Sequence, residues 1–207
     1  MDEGAGLVKG SVRDSAAGEP GHEKGTWILR DEHETIRSML TVTGKVAARL
    51  ERGIEVDPSL LGDLGAFFRL FVERSHHGKE EVVLFPFLEV KGVSRTEGPL
   101  SVLSMEHEDQ RALLADLAKE TEFYRRDPAG AGWRWARGAR AYVAATEAHI
   151  QKENRMLFPM AERVLHDGEQ RALDDALAAY ERETTGPGLP ERLLELVNLL
   201  QAQVSTL

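Results

Sequence analysis

Two stretches of this chain repeat one pattern of side chains that can ligate a metal. Residues 76–86 read HHGKEEVVLFP and residues 149–159 read HIQKENRMLFP. His76 therefore aligns with His149, Lys79 with Lys152, Glu80 with Glu153, and Leu84-Phe85-Pro86 with Leu157-Phe158-Pro159. Each stretch has a histidine upstream, His33 in DEHETIRSML and His107 in MEHEDQRALL, 43 residues before His76 and 42 before His149. On a helix, His-x-x-x-Glu places both side chains on one face, with Cβ atoms roughly 5–6 Å apart. Six such donors converging on an apolar interior would be costly without a counter-charge. Two divalent cations sharing the two carboxylates would satisfy all six. The duplication assigns His33 and His76 to one metal and His107 and His149 to the other, with Glu80 and Glu153 bridging. Nitrogen and oxygen donors in this number suit iron or manganese, and zinc fits the same donors. Coordination positions left open would admit a small ligand such as dioxygen, nitric oxide or peroxide.

Positioning these residues requires helices. Leu29, His33, Ile36, Leu40 and Ala47 share one face, and Gly53 supplies a stop. Asp57-Pro58 reads as a cap and first turn, opening a stripe through Leu61, Leu64, Phe68, Val72, His76 and Glu80. Gly98-Pro99 opens a third helix with Leu100, Leu103, His107, Leu114 and Leu117 in line. A turn at Asp127-Pro128-Ala129-Gly130 leads to a fourth, through Trp135, Tyr142, Ala145, His149, Glu153 and Leu157. No strand is expected. The fold class is all-α, an up-down-up-down four-helix bundle with extra C-terminal helices. Pro86 and Pro159 are expected to kink or end their helices alike, with Phe85 and Phe158 plugging the same end of the core.

The flanks divide the chain into three parts. Residues 1–25 have no apolar period and read as a mobile N-terminal tail that includes a solvated His22. Residues 26–166 form the bundle, and 167–207 a helical extension. In that extension Leu173, Leu177 and Tyr180 precede a hinge, Gly186-Pro187-Gly188-Leu189-Pro190. A last stripe of Leu193, Val197, Leu200 and Val204 would pack back on the bundle or, alternatively, make a homodimer seam.

Composition removes several function classes. Of 207 residues 42% are hydrophobic and 29% charged, the profile of a globular chain that can bury one good core. A formal net charge of −9 argues against a nucleic-acid partner. Zero cysteines exclude disulfides, thiolate zinc sites and cysteine-held iron–sulfur clusters. No run approaches the roughly 20 apolar residues of a membrane span, and the start of the chain carries no signal-peptide pattern. A cytoplasmic protein is the expectation.

Several neighbours compete for roles. His77 and Glu81 form a second i,i+4 pair, but Ile150 and Asn154 stand at their counterparts, which places them at the surface or behind the ligands. Glu81→Ala is accordingly expected to leave the metal in place. Glu73 with His76 matches the Glu-x-x-His of ferritin-like sites, yet Thr146 stands where its repeat should be. Arg37 and Arg111 read as solvated, Tyr142 as a core tyrosine and His166 as a surface residue.

The pattern His…His-x-x-x-Glu…His…His-x-x-x-Glu, with Leu-Phe-Pro after each glutamate, resembles the hemerythrin-like HHE cation-binding family over about residues 28–165. The resemblance implies a hemerythrin-like four-helix bundle with a non-haem di-iron centre whose bridging carboxylates fall on Glu80 and Glu153. Oxygen-carrying members have a further His-x-x-x-His on the third helix, where this chain has Arg111 after His107. The resemblance therefore implies binding or sensing of dioxygen, nitric oxide or peroxide in oxidative or nitrosative stress or iron handling, rather than oxygen carriage. A di-iron oxidase or peroxidase-like enzyme is the alternative.

Overall fold

Local signals set the helix ends in a computed structural model that describes residues 25–185 and 195–202. The first helix covers Trp27–Glu51, and Gly53, at φ 72°, closes it by donating from its N–H to the Leu50 carbonyl. The Asp57 carboxylate accepts from the Ser59 N–H at 2.8 Å, with Pro58 at the first helical position. The third helix, Pro99–Arg126, starts after Gly98 in the left-handed region. The expected turn at 127–130 is shorter than the sequence suggests. Asp127 alone separates the third helix from the fourth, capping it through the Gly130 N–H at 3.0 Å.

Neither Pro86 nor Pro159 ends its helix. The second helix is α-helical over Pro58–Phe67, π-helical over Phe68–His77 and Glu80–Leu84, and α-helical again over Phe85–Val90. The fourth repeats the device, with Pro128–Lys152 α-helical, Glu153–Leu157 π-helical and Phe158–Val164 α-helical. Phe85 and Phe158 donate their N–H groups five residues back, to the carbonyls of Glu80 and Glu153. The widened turn absorbs the bond that proline cannot make, so the helix continues.

The first helix packs on the fourth, the fourth on the third, the third on the second, and the second closes against the first. No strand occurs among the described residues. Two apolar clusters fill the bundle. One holds Ile36, Leu64, Phe68, Val72, Leu117, Trp135 and Tyr142; the other holds Leu29, Leu84, Phe85, Leu103, Leu157 and Phe158. Along each helix the histidines fall between the two clusters, so a polar layer crosses the middle of the core.

The C-terminal extension joins this core. The fifth helix, Asp167–Thr185, buries Leu173 and Leu177 against the Phe85/Phe158 cluster. It crosses the second helix at Gly78, where a Cβ would collide with the Tyr180 hydroxyl. Residues 195–202 are helical, and Val197 and Leu200 are buried in the Trp135 cluster, while Gln201 bonds Ser38 at 2.5 Å. These two residues are spent within the molecule and are not free for the homodimer seam, while Leu193 and Val204 of the same stripe lie outside the described residues. The tail expected over 1–25 and the hinge at 186–190 lie, apart from Gly25, outside the described residues. No helix among the described residues is long and apolar enough to cross a membrane.

Candidate metal centre

All four histidines in the repeat are buried, as are Glu80 and Glu153. The first and second helices bring His33 Nε2 to 3.0 Å from His76 Nε2. The third and fourth bring His107 Nε2 to 3.0 Å from His149 Nε2. Each carboxylate spans both pairs. Glu80 turns Oε1 toward His76 (3.8 Å) and Oε2 toward His107 (3.4 Å). Glu153 turns Oε2 toward His33 (3.1 Å) and Oε1 toward His149 (2.8 Å) and His107 (3.7 Å). His33, His76, Glu80 and Glu153 can each place a donor atom within 4.8 Å of the others, and so can Glu80, His107, His149 and Glu153.

The outward nitrogen of each of these four histidines has a partner. His76 Nδ1 lies 2.9 Å from Glu32, and His149 Nδ1 3.0 Å from Glu106. His107 Nδ1 lies 2.7 Å from Glu81, and His33 Nδ1 3.2 Å from the Asn154 Oδ1. Lys79 and Lys152 bind the outer oxygens of Glu32 and Glu106. A neutral imidazole that donates from Nδ1 carries a lone pair on Nε2. Two Nε2 lone pairs facing each other at 3.0 Å repel unless a cation lies between them. Both oxygens of Glu80 and of Glu153 also lack a hydrogen bond. Two nitrogens bound at about 2.1 Å and a right angle would sit roughly 3 Å apart. The residues present therefore fit a pair of metal ions, with the outer carboxylates fixing the imidazole tautomers.

Without metal the layer holds protons instead. Burial disfavours charge on His107, yet Glu153, Glu80 and Glu81 raise its pKa to about 11. Burial likewise opposes charge on His149, and Glu153 and Glu106 carry it to about 9. Burial would raise Glu153, but His149, His107 and His33 hold it well below the usual carboxylate range.

The structure corrects some sequence expectations and agrees with others. His77 is not at the surface; it is buried, with its ring stacked on His107 at 3.9 Å between centroids. Glu81 is placed behind His107 and also pairs with Arg111, so Arg111 is engaged rather than simply solvated. Arg111 also meets Glu73 at 3.2 Å, and burial lifts the Glu73 pKa to about 7 despite that cation. Arg37 pairs with Glu34 and Glu147, Tyr142 is a buried core residue and His166 is exposed. The outer residues Glu32 and Glu106 were missed, although each directly precedes the first histidine of its half.

The family profile described as hemerythrin HHE cation binding domain matches residues 24–161. The chain is also 31% identical over 139 residues to proteins named iron-sulfur cluster repair protein YtfE from Enterobacter sp. (strain 638), Citrobacter koseri and Escherichia coli O1:K1 / APEC. The matched stretch is 65% of this chain and 63% of each relative, so the chain spans less than two thirds of their length. With two thirds of its residues inside the profile and all six repeat donors in that span, this chain belongs to the hemerythrin HHE cation-binding domain family.

Proposed function

We propose that this protein holds two iron ions, one between His33 and His76 and one between His107 and His149, with Glu80 and Glu153 bridging them. The observation that supports this reading most is the split orientation of both carboxylates, each with one oxygen toward either histidine pair. When bound, the metals supply a redox-active centre with open positions for dioxygen, nitric oxide or peroxide. The chain's own part is to orient and insulate. Glu32, Glu106, Glu81 and Asn154 hold the four imidazoles with Nε2 inward. Phe158 stacks on His33 at 5.3 Å and Phe85 on His107 at 6.1 Å, which excludes bulk water from that side.

The physiological role that fits is response to oxidative or nitrosative stress, and the relatives' name supports repair of damaged iron–sulfur clusters as its form. The test is an anaerobic titration of the reduced, two-iron protein with nitric oxide, followed optically. Saturation at a fixed ratio to iron is the expected result. An unchanged spectrum in protein shown to hold both irons would overturn the small-ligand reading.

A further inference from the structure

We infer that the fifth helix is a latch coupled to the metal centre: Glu181 reaches His76 through Lys79 and Glu32, so that filling the centre fastens the helix and emptying it lets the helix lift. This rests on the two-metal reading above and extends it to how the state of a buried centre changes the surface of the molecule.

The linkage is a run of adjacent polar contacts. His76 Nδ1 lies 2.9 Å from the Glu32 carboxylate. The other Glu32 oxygen accepts from Lys79 Nζ, which also donates to Glu181 on the fifth helix at 3.4 Å. Beside Glu181, the Tyr180 hydroxyl donates to the carbonyl of Arg74, two residues before His76, at 3.2 Å. Gly78, two residues after His76, lets the fifth helix come this close. The helix thus rests on the turn that carries His76, while Leu173 and Leu177 seat it in the Phe85/Phe158 cluster.

The duplication supplies the comparison. Lys152 and Glu106 repeat this pair behind His149, and Lys152 is half-exposed, whereas Lys79 is fully buried under the fifth helix. A lysine–glutamate pair behind the histidine therefore forms without a cover, and the cover is an addition to one half. Burying an ammonium group is costly unless it is paired. Glu181 supplies the second carboxylate, so the docked helix depends on where Glu32 holds Lys79. Glu32 depends in turn on His76. Ligated through Nε2, that ring is fixed with Nδ1 on Glu32; unligated, its outward tether is Glu32 alone and it meets His33 Nε2 at 3.0 Å. A docked and a released helix are two discrete states, and a coupling between metal and docking acts equally in both directions. The released helix bares Leu173 and Leu177, which turns metal occupancy into a change of apolar surface.

The test is hydrogen exchange across residues 167–185, read by mass spectrometry on the full chain with and without Fe(II), with stoichiometry from elemental analysis. In wild type, loading two irons is expected to slow exchange there by about 10-fold. Glu181→Ala is expected to bind two irons at saturation but to lose most of that slowing. Leu173→Ala loosens the same helix through its apolar contacts, and should speed exchange in both states while keeping the ratio between them. Equal slowing in wild type and Glu181→Ala would mean that metal stabilises the whole bundle, and would overturn the latch. So would a two-iron wild type whose fifth helix exchanges at the metal-free rate, or loss of the ratio in both variants alike. Failure of wild type itself to bind two irons would instead count against the two-metal reading.

Discussion

At the scale of single residues, the centre is two nested layers. Inner donors are two histidine pairs and two carboxylates; outer acceptors lock each imidazole. Removing an inner carboxylate, as in Glu80→Ala or Glu153→Ala, should sharply lower bound metal and destabilise the bundle, measured by stoichiometry and thermal unfolding. Removing an outer one should do less. Glu106→Ala and Glu81→Ala are each expected to weaken metal binding by about 10–100-fold, read from chelator competition. The Glu81 expectation reverses the sequence reading, because its carboxylate lies 2.7 Å from His107 Nδ1. Protons compete with metal for the same nitrogens. Despite burial, nearby carboxylates raise the pKa of His107 to about 11 and that of His149 to about 9, so the metal-free pair holds proton at pH 7 that metal must displace. Apparent affinity should therefore climb as pH rises toward 9. Calorimetry in buffers of different ionisation enthalpy should show net proton release at neutral pH, and none would contradict it.

The elements show what was legible and what was not. The six candidate donors stood out in the sequence because they repeat, and a lone buried histidine would have carried little. Glu32 and Glu106 also repeat, each just before a histidine, but a charged residue at such a position ordinarily reads as a solvated face. The burial of His77 was not legible because that residue breaks the repeat: its counterpart is Ile150, and only tertiary packing shows that both are buried. The prolines misled for a different reason. Their missing N–H is absorbed by a π turn beginning at the very glutamate that faces the site, which no periodicity reveals. The fifth helix explains a further asymmetry. Lys79 is fully covered and pairs with both Glu32 and Glu181, whereas the side chain of Lys152 is 47% exposed. Gly78 permits that cover. Gly78→Ala should push the fifth helix, which carries Tyr180, away from the second and speed hydrogen exchange across residues 167–185, at a cost of about 1–3 kcal/mol. Unchanged exchange there would show that the docking does not depend on the close approach.

For the whole molecule, the polar layer is a liability until it is filled. It lies between two apolar clusters, so without metal the chain buries carboxylates with no hydrogen bond in the middle of its core. Metal that binds only the folded state stabilises by about 4 kcal/mol when present at 1,000 times its dissociation constant. For a chain of this size that corresponds to roughly 8–16 °C in Tm. Chelation should lower Tm by that order, and replacing iron should restore it. Equal Tm with and without metal would mean that the layer is stable on its own protons.

The central claim is a carboxylate-bridged metal pair, and elemental analysis of protein purified without added metal tests it most directly, for wild type beside Glu80→Gln and Glu153→Gln. The account predicts about two irons per wild-type chain, an oxygen-sensitive near-ultraviolet band, and loss of iron and band in both variants. One iron or none after reconstitution, or full stoichiometry in either variant, would contradict it.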